Sequence, residues 1–286
     1  MSTKKARKMT NFYPTDGKRY LSCGGWILCV SNGSGDVCLA HPVWRARIEL
    51  PGVNTFPDDD VDIAKMVLSG SPVRKIDDFV VMVIRGRNRQ LGFSRPGDKS
   101  WTVMDSWAGW FCDIIYHNGK LYALDSSKRV VECDIHGPSP TRIRQVFSLP
   151  SSASDAAAVA VIGMYYLVES CGKFLIVIRH SMHRTTFLFE VFEFDVKDGS
   201  HKEIKQFDKW NKAMFLGLNS SVCIELSDWD VVNPNCIYFT DDSRQNVVIP
   251  VVSVYSLISM KPTKGLYVPP LGAAFHTPPT WVMPSF

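Results

Sequence analysis

Three places in the sequence gather residues whose chemistry could be put to use. His180-Ser181-Met182-His183 sets two histidines three apart, a spacing that on a helix would bring both imidazoles to one metal ion. Here the flanking residues read as a strand end entering a loop, so a shared metal is not expected. Cys133-Asp134-Ile135-His136 has ligand-like spacing but no second pair, and a structural zinc site needs four ligands. Asp241-Asp242, after Tyr238-Phe239-Thr240, could act as paired carboxylates, because adjacent like charges push one pKa upward. Neighbours along a strand point to opposite faces, however. A turn or strand-end cap through side-chain hydrogen bonds is the expected role. The sequence has no G-x-S-x-G elbow, P-loop or G-x-G-x-x-G pattern, which removes the common nucleophile and nucleotide signals. No catalytic residue, cofactor or metal is expected.

The elements that would carry any site are strands. Phe111 to Asp125, followed by Val130 to Ile135, reads as three consecutive antiparallel strands. Asn118-Gly119 lies between the first two, and that dipeptide supplies the positive φ angles of a two-residue type I′ turn. Similar turn chemistry recurs at Asn32-Gly33-Ser34-Gly35, Pro96-Gly97-Asp98-Lys99, Cys171-Gly172 and Asp198-Gly199. Five groups of strands result, nineteen strands in all. One of them, Ile63 to Leu68, also fits a helical stripe. Leu121 to Leu124 and Phe187 to Phe189 are apolar on both faces, as strands between neighbouring sheets should be, whereas His201 to Lys205 is polar, as an outer strand should be. A sandwich strand would alternate more cleanly.

The expected fold is therefore all-β, a β-propeller of four-stranded antiparallel blades. Five blades are expected, with six as the alternative count. Residues 1–20 form a short, basic and flexible leading segment, and 21–286 a single propeller domain. Nineteen strands are one short of five complete blades, so the segment around Trp281 is expected to complete the N-terminal blade, closing the ring and shielding its edge.

Composition narrows the function classes. The 286 residues are 45% hydrophobic and 21% charged, ordinary for a soluble globular protein, and no run of apolar residues is long enough to span a membrane. The basic start lacks an apolar stretch behind it, so a cytoplasmic or nuclear protein is expected. A net charge of +4 is too slight to imply nucleic acid. Arg85, Arg87 and Arg89 are the densest basic cluster, but they flank Gly86 and Asn88 in what reads as a solvated hairpin turn. The eight cysteines are scattered without a C-x-x-C pair and are expected to be reduced core thiols.

Several segments, taken together and in order, resemble the plant F-box-associated family known as domain of unknown function 295, the KIB-type β-propeller. They are Gly25-Trp26-Ile27, Arg95 to Thr102, Ile115 to Asp125, Tyr166 to Ser170, Phe215-Leu216-Gly217 with Asn219-Ser220-Ser221, Pro234 to Asp242, and Pro278 to Ser285. The resemblance implies a substrate-receptor role, in which an N-terminal F-box grips the Skp1 adaptor of a cullin-RING ubiquitin ligase while the propeller captures a target. The residues before Gly24-Gly25-Trp26 are too few for a three-helix F-box and lack amphipathic helices. A Skp1-cullin partner is thus expected only if an F-box is supplied elsewhere.

The leading expectation is a non-enzymatic protein-interaction propeller that meets an unidentified protein partner, not nucleic acid or membrane, across one ring face. Interface hot spots favour aromatic anchors ringed by polar groups. The loop residues Trp107, Trp110, Arg184 and Trp229 are the candidates. The alternative is a small-ligand or carbohydrate-binding propeller, enzymatic or not, using channel groups that include Asp125, His117 and Asp241. A polar funnel with convergent carboxylates would favour the alternative; a filled channel beside an aromatic, basic face would favour the first.

Overall fold

The computed structural model of the protein describes residues 17–58, 60, 62–72, 79–136, 141–150, 161–183, 185–207, 211–217, 219–226, 232–240 and 251–267. Twenty-one strands in these residues form five sheets. The first sheet holds β1 (Lys18–Cys23), β2 (Trp26–Ser31), β3 (Val37–His41) and β4 (Ala46–Leu50), the second β5 (Ile63–Leu68), β6 (Val81–Arg85), β7 (Gln90–Ser94) and β8 (Thr102–Val103). The third has β9 (Phe111–His117), β10 (Lys120–Asp125), β11 (Arg129–Cys133) and β12 (Ile143–Ser148), the fourth β13 (Val161–Ser170), β14 (Lys173–Met182), β15 (Thr185–Phe194) and β16 (His201–Glu203). Each of these is a simple antiparallel meander. The fifth runs in the order β18 (Val222–Glu225), β17 (Lys212–Leu216), β19 (Cys236–Thr240), β20 (Val251–Ser256), β21 (Lys261–Tyr267).

The strands β1, β5, β9, β13 and β18 pack one on the next, so they form the hub of a five-bladed propeller, the fold class expected from the sequence. Two local features differ from expectation. The first sheet draws all four strands from residues 18–50, because Lys-Arg-Tyr-Leu-Ser-Cys forms β1 in full register with β2. The closing strand expected near Trp281 lies outside the described residues. In the fifth sheet β17 pairs antiparallel with β18 but parallel with β19, and that order cannot come from hairpin turns alone.

Alternation along the strands divides the core into wedges between sheets. Leu28, Val30, Leu39, Met66, Val81 and Val83 pack the first sheet on the second. Met82, Ile84, Leu91 and Phe93 turn the other way, onto Ile114, Leu121 and Ala123 of the third. Residues 81–84 thus serve two wedges in alternation, which is why that run is apolar throughout. Further wedges join third to fourth sheet around Leu124, Phe174 and Ile176, and fourth to fifth around Phe189, Ile237 and Tyr255. Each fully buried side chain of this size contributes about 1.5–3 kcal/mol.

Strand direction assigns the loops to two rims. In each of the first four sheets the turn between second and third strands and the connector to the next sheet share one rim; the other turns share the opposite rim. Asn118 (φ 48°) and Gly119 (φ 83°) make the expected left-handed turn on that opposite rim.

Candidate functional site

An ion pair joins two strands of the hub. Lys65, alone among apolar neighbours on β5, meets the Asp113 carboxylate of β9, and both side chains are buried. The second Asp113 oxygen accepts the Leu167 amide at 2.7 Å, and the first also accepts the Ile114 amide at 2.7 Å. Both oxygens are therefore engaged. The adjoining cavity measures about 190 Å³ and is lined by Arg89, Cys112, Met164, Tyr165 and Tyr166 as well as the pair. That is below the volume of ordinary small-molecule sites.

On the rim shared by the blade connectors the picture is different. Asp125 ends β10 with its carboxylate fully buried. One oxygen accepts the amides of Ser127 at 2.9 Å and Arg129 at 2.8 Å; the other accepts Trp107 Nε1 at 2.8 Å and Arg129 Nε at 2.6 Å. The Arg129 guanidinium lies over the Trp107 ring, 4.7 Å from its centre, a cation–π contact. Gly109, at φ 136°, threads past this cluster, and a Cβ there would sit 3.3 Å from Arg129 Nη2 and 3.4 Å from Asp125 Oδ2. Trp110 follows, with its carbonyl accepting the Ser126 amide at 2.8 Å and its ring 57% exposed. Trp107, Gly109 and Trp110 with Asn88 and Gln90 line a hollow of about 390 Å³.

Two of the four expected contact residues, Trp107 and Trp110, are thus brought together. Arg184 and Trp229 lie outside the described residues. The arginine turn is on this same rim but is not freely solvated. Arg85 is buried, pairs with Asp58 and stacks on Phe56 at 4.3 Å. Arg89 donates to the carbonyls of Phe111 at 2.6 Å and Cys112 at 3.0 Å. Two of the three arginines clasp neighbouring chain, leaving Arg87 and Asn88 exposed.

Of the groups of the ligand-binding alternative, the two that are described, Asp125 and His117, do not converge. Asp125 serves the rim cluster, His117 is buried where β9 ends at the opposite rim, and Asp241 lies outside the described residues. His180 is buried against Glu190, with Nε2 to Oε2 at 2.5 Å. Among the described residues no group of three or more histidine, cysteine or acidic side chains is placed to hold a metal ion, and no helix is long and apolar enough to cross a membrane.

Sequence reasoning passed over Trp44. It sits in the β3–β4 turn on the opposite rim, 41% exposed, stacked on His41 at 4.1 Å with its amide donating to His41 Nδ1 at 3.2 Å. The Lys65–Asp113 pair was also missed. Its signal was a single charge in each of two otherwise apolar inner strands. A further hollow of about 540 Å³ between third and fourth sheets mixes Lys173, Lys197 and Lys202 with Glu193 and Asp195, and Glu193 already pairs with Lys173 at 3.1 Å and Lys202 at 3.4 Å.

Comparison with known proteins agrees with this architecture. The chain is 25% identical over 230 residues to At5g55150 of Arabidopsis thaliana, whose F-box designation is itself provisional, covering 73% of this chain and 61% of that protein. It is 25% identical over 172 residues to the F-box protein SKIP23 of the same plant, covering 52% of this chain and 39% of the relative. The chain thus spans about half the length of the curated relatives it matches. Among solved structures, the β-propeller domain of Myceliophteria thermophila Cps50 (Swd1) gives a TM-score of 0.44 at 10% identity, covering 89% of this chain and 74% of that one. That likeness has no bearing on function. The model of the KIB1-4 beta-propeller matches residues 2–256, and with the five sheets in place the chain belongs to that family.

Proposed function

We propose that the chain is a non-catalytic recognition propeller that binds a protein partner on the rim carrying Trp107 and Trp110. The observation that carries this reading is the contrast in how the acidic groups are used. In the hub, Asp113 is neutralised by Lys65 and saturated by backbone amides, so it has no free oxygen for acid–base work. On the rim, Asp125 is spent on fixing Trp107, and the neighbouring Trp110 ring is left bare beside Asn88 and Gln90. An immobilised aromatic anchor with polar neighbours is the kind of group that dominates protein interfaces.

The relatives named as F-box proteins support a place for this chain in target recognition by plant ubiquitin ligases. In that role the propeller holds the target, and Skp1 and cullin join through an F-box on the same polypeptide or on a companion. The test is affinity purification of the chain from plant cells beside a version extended with a family F-box, with bound proteins quantified. The reading expects one specific protein shared by both versions, with Skp1 and cullin added in the extended one. Thermal stabilisation by an oligosaccharide or other small molecule, with no shared protein retained, contradicts it.

A further inference from the structure

The face of the first sheet turned away from the second holds a feature that target recognition does not use. Cys29 of β2 and Cys38 of β3 are directly opposite each other in the antiparallel register, and both are free thiols. Their neighbours Leu28, Val30, Val37 and Leu39 point into the wedge against the second sheet, so alternation turns the two sulfurs to the other face. Opposed residues in an antiparallel pair have Cα atoms about 4.5–5.5 Å apart, within the range of roughly 4.4–6.8 Å that a disulfide spans. The turn joining the strands, Asn32 to Asp36, holds the register through Ser31 N to Asp36 O at 2.9 Å and Gly35 N to Ser31 O at 3.0 Å. Cys29 is half-buried and Cys38 buried. Cys38 also opposes Glu49 of β4, which pairs with Arg47 at 2.5 Å.

We infer that Cys29 and Cys38 form an oxidisable dithiol, a modification site at which hydrogen peroxide converts the facing thiols into a reversible cross-strand disulfide.

The environment suits the chemistry. The facing Cys29 thiol lowers the pKa of Cys38 to about 7, with Arg47 and Lys18 adding positive potential against burial and Glu49. The same contact pushes Cys29 up. Cys38 therefore carries the larger thiolate fraction and Cys29 keeps its proton, the arrangement that favours attack followed by resolution. The Cys38 thiolate attacks one peroxide oxygen; the S–O bond forms as the O–O bond breaks, and hydroxide leaves. Cys29 sulfur then displaces the hydroxyl of the Cys38 sulfenic acid, its proton departing with that hydroxyl as water. The two thiols have lost two electrons to the peroxide. By contrast Cys133 lies in the wedge between second and third sheets, where burial pushes its thiol up to about 12, and it should be inert.

The experiment treats the full chain with hydrogen peroxide, blocks remaining thiols, and digests with proteases that cut before Asp36 and after Trp26, separating Cys29 from both Cys38 and Cys23. The expected product is one linked peptide pair lighter by two hydrogens, released by dithiothreitol, and formed at least roughly tenfold faster than Cys133 is modified, as the larger thiolate fraction dictates. In Cys29→Ser the Cys38 sulfenic acid, having lost its resolving thiol, should be trapped by dimedone. A link from Cys38 to Cys23, or sulfinic acid at Cys38 in the wild-type chain without any link, overturns the inference. The wild-type digest decides the matter even if a variant fails to fold.

Discussion

Two buried aspartates, Asp113 and Asp125, share the third sheet and do opposite jobs. Asp113 faces the hub, takes its cation from the neighbouring sheet through Lys65, and spends its remaining capacity on the amides of β9 and β13. It stitches three adjacent elements and leaves nothing exposed. Asp125 takes its cation from within its own sheet, through Arg129, and its second oxygen carries Trp107 Nε1. It stiffens a connector whose next large residue, Trp110, faces solvent. Burial of a carboxylate therefore does not by itself mark an active site: one of these groups links hub strands, and the other fixes a surface loop.

The largest effect should come from breaking the hub pair on one side. Asp113→Ala leaves the Lys65 ammonium buried without a counter-charge, which costs about 3–5 kcal/mol. Denaturant unfolding should show this loss, while the double change Lys65→Met with Asp113→Leu should recover most of it. Asp125→Ala is expected to be milder, about 1–3 kcal/mol, because the Arg129 side chain is already partly hydrated and can turn outward. Its distinguishing sign is a change in tryptophan fluorescence as Trp107 loses its acceptor. A full 3–5 kcal/mol loss at Asp125 would erase the contrast between hub and rim.

Gly109→Ala sharpens the rim half of the comparison. Its φ of 136° is unfavourable for any side chain, and the new methyl crowds Arg129 and Asp125, so a loss of about 1–3 kcal/mol is expected. That loss should arrive with the same fluorescence change as Asp125→Ala, since both act through one cluster.

The smallest effect concerns the opposite rim, where an imidazole instead of a carboxylate holds the exposed ring. Burial lowers the pKa of His41, so the folded state resists protonation more than the unfolded chain does. The unfolded state then binds more protons below the ordinary histidine value near 6.5, and stability falls as pH drops through it. His117, lowered by burial and partly raised by Glu169, adds in the same direction. His41→Gln should flatten the stability profile between about pH 6.5 and 5. An unchanged slope would mean that the His41–Trp44 stack is not coupled to folding.

Much of the fold was legible because its turns are chemically explicit. Asn118-Gly119 and Pro96-Gly97 announce reversals of the chain, and the doubly apolar runs announce strands sandwiched between sheets. Ile63 to Leu68 fitted a helix by spacing, and it is a strand because it sits at the hub with apolar neighbours on both sides. β1 was missed because its polar and basic residues hide its apolar Leu21. The parallel pairing of β17 with β19 leaves no local trace, since register between non-consecutive strands is set by tertiary packing.

At the site, residue type identified Trp107 and Trp110 through their loop position, but nothing local foretold that Asp125 would hold Trp107 instead of lining the channel. Trp44 was overlooked although it follows Pro42 in an evident turn. The arginine-rich turn misled in the other direction: two of its guanidinium groups satisfy Asp58 and backbone carbonyls, partners remote in sequence.

The central claim is that the Trp110 rim, not the hub or the Trp44 rim, engages the partner. The most direct measurement is the affinity of the purified partner for three forms of the chain: unaltered, Trp110→Ala and Trp44→Ala. Trp110→Ala should leave stability within about 0.5 kcal/mol, and Trp44→Ala, which also loses the His41 stack, should cost about 1 kcal/mol, so both variants should fold. Trp110→Ala should weaken binding by about 2 kcal/mol or more, roughly thirtyfold, while Trp44→Ala leaves it unchanged. Equal affinity for Trp110→Ala and the unaltered chain, or a loss confined to Trp44→Ala, would contradict it.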